Sequence, residues 1–195
     1  VKGVLIILSG PSGVGKDTVL GAWQALNPDV VKVVSVTTRR PRPSEQDGKD
    51  YHFVTYEEFL DLSRQGYFLE HKEVYGQSYG TPVAQVDELL REGKIAVLKI
   101  DVQGALDVMA KRPDAHSAFL MPPSWEELER RIRSRPLEPG ADIEERLEAA
   151  RLEIALADRY ERIIINRSVS EAASDLEEWV AVLRRPQPVE AKPAQ

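Results

Sequence analysis

Val4-Leu5-Ile6-Ile7-Leu8-Ser9-Gly10-Pro11-Ser12-Gly13-Val14-Gly15-Lys16-Asp17-Thr18 is the stretch from which the fold is read. Its first five residues are an unbroken apolar run, the pattern of a strand buried on both faces, and a helical pattern over residues 18–26 begins past the glycine-rich turn. Strand, tight turn and helix in that order make a phosphate loop. Gly10, Gly13 and Gly15 permit positive φ, so backbone N–H groups approach an anion closely, and the helix behind them aims the positive end of its dipole at the same point. Lys16 adds a point charge for β- and γ-phosphates. The anion-binding stretch is therefore Gly10, Pro11, Ser12, Gly13, Val14, Gly15, Lys16, Asp17 and Thr18. One letter departs from the pattern: Ser or Thr after the lysine would present a hydroxyl to magnesium, and this chain has Asp17.

With 195 residues, 42% of them hydrophobic and 30% charged, the chain has enough material for one core and reads as a single domain with inserted lobes. The formal net charge of -6 leaves no overall basic field for nucleic acid, so phosphate binding must come from local clusters, at Arg39-Arg40-Pro41-Arg42 and between Arg130 and Arg135. There is no cysteine, which excludes disulfides, thiolate metal sites and cysteine nucleophiles. The short apolar run near the start is too brief for a signal peptide or membrane span, and a cytoplasmic protein with no membrane partner is expected.

Along the chain, the β-branched residues 30–36 read as a second strand, and the Pro-rich, polar residues 37–53 as a loop entering a short strand over 51–54. Thr55 and Glu58 form a capping box for an amphipathic helix beginning at Tyr56. Small strands follow over 67–71 and 73–75, closed by a turn over 76–82. A helix over 83–91 stops at Gly93, and a buried strand over 95–101 carries charge only near its C-terminal end, where open parallel sheets hold their ligands. Helices over 102–111, from Trp125, over 142–158 and over 170–183 alternate with strands over 117–121 and 162–166, with a hinge-like break at 136–140 and a Pro-rich tail expected to be disordered. The expectation is an α/β parallel sheet covered by helices on both faces, with a small β-rich insertion.

The motifs Thr38-Arg39-Arg40-Pro41-Arg42, Glu45, Gly48, Asp50-Tyr51, Phe53, Tyr79-Gly80-Thr81, Ile100-Asp101-Val102-Gln103-Gly104, Pro122-Pro123-Ser124, Arg131, Arg135 and Arg146 together resemble guanylate kinase, over nearly all of residues 3–183. The resemblance implies ATP-dependent phosphorylation of GMP to GDP with Mg²⁺. It also implies a core over 1–34, 82–126 and 149–183, a GMP lobe over 35–81, a lid over 127–148 and a tail over 184–195.

What it implies residue by residue agrees with the chemistry. GMP's phosphate is a dianion, which Arg39 and Arg42 can clamp with planar guanidinium forks, the hydroxyls of Tyr51 and Tyr79 completing the cradle. Guanine offers donors at N1 and N2, and Glu70 and Asp101, with Ser35 and Thr81 as hydroxyl partners, hold the positions that read them. Lys16, Arg131, Arg135 and Arg146 gather positive charge on the transferring group, and Asn166 falls beside the ATP adenine.

Besides Asp17, position 99 departs from the family, with Lys99 where Asp is usual. This reciprocal exchange of charge predicts that Asp17 and Lys99 face each other, Asp17 either positioning the metal or pairing with the lysine and leaving Mg²⁺ to phosphates and water. Three other readings stand beside the family's. A related kinase acting on a ribose bisphosphate can also carry Gly-Lys-Asp. A non-catalytic guanylate-kinase-like binding module would share the fold but lacks the loop lysine seen here. A GTPase would explain the DxxG at Asp101-Val102-Gln103-Gly104, yet neither Asn27 nor Asn166 begins an NKxD motif.

Overall fold

In a computed structural model, which describes residues 2–74, 76–134 and 142–185, the apolar run is β1 (Val4–Ser9), buried along its whole length. It is the middle strand of a five-stranded parallel sheet ordered β2 (Val30–Lys32), β7 (Ile95–Lys99), β1, β8 (His116–Met121), β9 (Arg162–Ile165). Because side chains alternate along a strand, Val4, Ile6 and Leu8 enter one core and Leu5 and Ile7 the other. The first core holds Val19 and Trp23 of α1 (Lys16–Leu26), Leu128 of α5 (Trp125–Ser134), Leu147 of α6 (Ile143–Ile154) and Leu176 of α7 (Val169–Leu183). The second is closed by Val86 of α3 (Val83–Arg91) and Val102 and Ala105 of α4 (Val102–Lys111). Trp23 is fully buried, and its indole N–H donates to Glu177 of α7 at 2.7 Å, so the largest side chain of this core keeps its polar atom paired.

A second sheet of four strands, β4 (His52–Phe53), β3 (Val36–Thr37), β6 (Gln77–Pro82) and β5 (Phe68–Val74), carries α2 (Tyr56–Arg64). Phe59 of α2 stacks on Phe68 of β5, with ring centroids 4.6 Å apart. The capping box is present: Thr55 Oγ1 accepts from the Glu58 amide and Glu58 Oε2 accepts from the Thr55 amide. Among the described residues no helix is long and apolar enough to cross a membrane.

Several boundaries differ from the sequence reading. The run over 30–36 is two strands in two sheets: the Val33 amide still bonds the Val97 carbonyl, but Val34 donates to the Gln85 side chain and Ser35 accepts from His52, so the chain changes sheet there. The expected turn over 76–82 is β6, a central strand whose Gly80 lies against the Phe68 ring, where a Cβ would sit 2.7 Å from a ring carbon. The strand expected to reach residue 101 ends at Lys99, because Asp101 is the N-cap of α4. Helix α6 stops at Ile154 and is followed by a 3₁₀ turn, Ala157–Arg159. Arg184, expected in the tail, donates to Asp29 and to the Gly93 carbonyl, while residues 186–195 lie outside the described part.

Candidate functional site

The loop between β1 and α1 sits at the C-terminal edge of the parallel sheet. Gly10 has φ 144° and lies so close to β8 that a Cβ there would meet the Leu120 carbonyl oxygen at 2.4 Å. Two side chains hold the loop from beneath through one atom: the Val14 carbonyl accepts from Asn166 Nδ2 at 2.8 Å and from Arg131 Nη1 at 3.3 Å. Lys16 folds back over the loop and donates to the carbonyls of Gly10, at 2.5 Å, and Pro11, at 3.1 Å. Burial brings its ammonium down to about 8, against the pull of Glu153. The Ser12 amide donates to Glu153 Oε2 at 3.3 Å, so a carboxylate of α6 rests on the loop; burial raises that carboxyl above its ordinary range.

From this loop a cavity of about 330 Å³ runs toward the second sheet, joining Gly10, Ser12 and Lys16 at one end to Ser35, Tyr51, Glu70, Tyr79 and Asp101 at the other. Arg146, Ala149 and Glu153 of α6 form a side wall. Glu70 is 5% exposed and faces Thr81 across the β5–β6 ladder, accepting the threonine hydroxyl at 2.6 Å. Burial pushes its carboxyl up to about 6, with Asp101 and Asp107 adding to the rise and Thr81 opposing it. Asp101 caps α4, its Oδ1 accepting the Gly104 amide at 2.8 Å. Gly104 in turn is where Glu70 fits, since a Cβ would lie 3.0 Å from Glu70 Oε2.

The basic loop is tied to itself. Arg39 Nη2 donates to both oxygens of Glu45, at 2.7 and 2.9 Å, its Nη1 donates to the Arg40 carbonyl, and its guanidinium lies 5.5 Å from the centre of the Tyr51 ring. Glu45 Oε2 also accepts the Arg42 amide at 2.8 Å. Glu45 thus sets the position of the arginine expected to grip the acceptor phosphate.

Of the residues expected from sequence, Gly10, Ser12, Lys16, Ser35, Tyr51, Glu70, Tyr79, Asp101 and Arg146 line this same cavity. Arg39, Arg42 and Thr81 are not among the residues that line it, Arg42 being exposed and Thr81 buried against Glu70, and Asn166, expected beside the adenine, is buried under the loop. Thr18 and Asp17 lie on the exposed first turn of α1. Arg135 is outside the described residues, as is part of the expected lid, 135–141. Sequence reasoning missed Glu153 and Ala149, although a signal existed: they follow Arg146 by seven and three positions, the spacing of one helix face. The expected Asp17–Lys99 pairing is present, Lys99 Nζ donating to Asp17 Oδ1.

The guanylate kinase family model matches residues 2–182. The guanylate kinase of Clostridium perfringens (strain SM101 / Type A) is 44% identical over 176 residues, covering 90% of this chain and 82% of the relative. That of Streptomyces coelicolor is 46% identical over 172 residues, covering 88% and 87%. Among solved structures, a guanylate kinase from Anaplasma phagocytophilum superposes with a TM-score of 0.77 at 36% identity, over 95% of this chain and 88% of that one. A phosphate loop at the centre of a parallel sheet, a second sheet presenting a buried carboxylate, and similarity spread over the whole of both features place this chain in the guanylate kinase family.

Proposed function

We propose that this enzyme transfers the γ-phosphoryl group of ATP to the phosphate of GMP, with residues 35–81 as the acceptor lobe and 127–148 as the lid. The observation that carries the reading is one continuous cavity with Lys16 and the loop residues Gly10 and Ser12 at one end and Glu70 with Asp101 at the other. A carboxylate there accepts from guanine N1–H and N2–H, whereas adenine would leave the buried oxygen that Thr81 does not reach without a donor. The groups named meet the base and the phosphate, so dGMP belongs among the acceptors. The reaction's nucleotides fit the cytoplasmic location expected from the sequence.

The chemistry asks for alignment and charge. An oxygen of the GMP phosphate dianion bonds to Pγ, the bond from Pγ to the bridging oxygen breaks, and its electron pair leaves on ADP; no proton moves. Lys16 leaves the Gly10 and Pro11 carbonyls for the β- and γ-phosphates, Arg39 and Arg42 hold the acceptor phosphate with Tyr51 and Tyr79, and Arg131, Arg135 and Arg146 bring charge from the lid side.

Magnesium is a different matter. At the position where a hydroxyl would meet the ion this chain has the Asp17 carboxylate, and its Oδ1 accepts from the Lys99 ammonium. Among the described residues no three His, Cys, Asp or Glu side chains converge as a metal site. These side chains do not fit a protein-held Mg²⁺, and an ion arriving with ATP would be held by phosphates and water.

A coupled assay of GDP formation, with GMP, AMP and a ribose bisphosphate as competing acceptors, tests the reading. GMP should be preferred over AMP by about 10⁴-fold in kcat/KM. Equal use of AMP, or use of the ribose bisphosphate alone, would overturn it.

A further inference from the structure

We infer that Lys99 is a further catalytic residue, a built-in cation that contacts the phosphoryl group in transfer and stands where a loop hydroxyl would otherwise hold a metal ion. The inference rests on the phosphoryl-transfer reading above. Lys99 ends β7 directly beside Leu8 of β1, so its side chain leaves the sheet at the edge from which the phosphate loop springs. It lines the same cavity as Lys16 and Asp101.

The pair it makes with Asp17 is lopsided. The Asp17 side chain is 78% exposed and Lys99 only 15%, so water screens the carboxylate while the ammonium faces the cavity wall. Asp17 also sits in the first turn of α1, where the helix dipole favours a negative charge. The tether therefore fixes Lys99 in place, with the ammonium on the less exposed side of the pair and the carboxylate on the more exposed side. Tyr51 lies on the other side, its ring centre 5.9 Å from Lys99 Nζ and equally far from Lys32 Nζ. Burial opposes the charge on Lys99, but Tyr51 and Asp17 outweigh it and hold the ammonium above the ordinary lysine range. A fixed cation aimed at developing negative charge is what phosphoryl transfer uses, whether a metal or a side chain supplies it.

The test is calorimetric titration of the full chain with ATP, without acceptor, in EDTA and in MgCl₂, alongside steady-state kinetics. The wild type should bind ATP in EDTA nearly as well as in MgCl₂. Lys99→Met should weaken binding in EDTA by about tenfold or more and lower kcat by about 10²-fold with KM for GMP unchanged. Lys99→Arg, which keeps the charge, should recover most of the EDTA binding. The double variant Asp17→Ser with Lys99→Asp should bind ATP poorly in EDTA and regain affinity in MgCl₂. Lys99→Gln replaces Lys99→Met if circular dichroism shows the latter unfolded. ATP binding in EDTA and kcat both within twofold of wild type in a folded Lys99 variant would overturn the inference and leave Lys99 as a tie between β7 and α1. Failure of the wild type to phosphorylate GMP while ATP binding still depends on Lys99 would count against the acceptor assignment alone.

Discussion

The side-chain amide of Asn166 donates to the Val14 carbonyl at 2.8 Å, pinning the phosphate loop to the end of β9 across 152 residues of chain. Asn166 is 3% exposed, so the bond is made without competition from water. Asn166→Ala removes one of two donors to that carbonyl, the other being Arg131. The expected cost is about 1–2 kcal/mol of stability, a drop of roughly 4 °C in Tm. Because the bond shapes the loop, ADP affinity should fall by about tenfold as well. Thermal melting and ADP titration of the same variant check this; a lower Tm with unchanged ADP affinity would confine Asn166 to packing.

Glu70 costs the ligand-free protein stability, because its carboxylate is buried. Its carboxyl is raised by burial from an ordinary 4.5 to about 6. Well below pH 4.5 it is protonated in folded and unfolded chains alike and the penalty vanishes; above pH 6 it must ionise inside the protein, and the free form loses about 2 kcal/mol. Glu70→Gln keeps an oxygen for Thr81 and removes that charge. The variant should melt several degrees higher than wild type at pH 7.5 and no higher at about pH 3.5, well below both values. GMP selectivity over AMP should fall by at least about 10²-fold, since one carboxylate oxygen becomes an amide donor facing donors. In the wild type, KM for GMP should rise by about tenfold per unit below pH 6. The phosphate of GMP titrates nearby, so the Glu70 contribution is the part of the rise that Glu70→Gln abolishes.

Much of this arrangement was legible because it follows from local patterns. The apolar run, the glycines and Lys16 give the loop; alternation of strands and helices gives the sheet; Thr55 and Glu58 give the start of α2. What could not be read depended on partners distant in sequence. Residues 30–36 are β-branched throughout, and only the Gln85 side chain, which takes the Val34 amide, shows where the chain leaves one sheet for another. Gln77–Pro82 holds a glycine and a proline and reads as a turn, yet the glycine is there to admit the Phe68 ring. The charge exchange at positions 17 and 99 was visible only because two departures from one family pattern carried opposite signs.

Gly104 is read from sequence as part of a DxxG motif and from structure as space for Glu70. A methyl group there would come within 3.0 Å of Glu70 Oε2, whose other oxygen is fixed by Thr81, so the carboxylate must shift by several tenths of an ångström. Gly104→Ala is helical and adds propensity, so the fold should hold or gain slightly. KM for GMP should rise by about tenfold while KM for ATP stays within about twofold. Equal changes in both constants would mean that the substitution disturbs the whole cleft.

Glu45 governs where the Arg39 guanidinium is held. Its two oxygens take both contacts from one Arg39 nitrogen, and one of them also takes the Arg42 amide, so a single carboxylate organises the basic loop. Arg39 draws that carboxyl below its ordinary range against the effect of burial, which keeps it ionised at neutral pH. Glu45→Gln preserves shape but weakens the charge-assisted bonds, and Glu45→Ala removes them. Arg39 then samples other rotamers, and the loss should appear as a rise of roughly tenfold in KM for GMP with Glu45→Ala and about threefold with Glu45→Gln. ADP affinity should not change, because the loop belongs to the proposed acceptor lobe and not to the loop that carries Lys16. If Glu45→Ala tightened GMP binding, Glu45 would be competing with the acceptor phosphate for Arg39, and its positioning role would have to be abandoned.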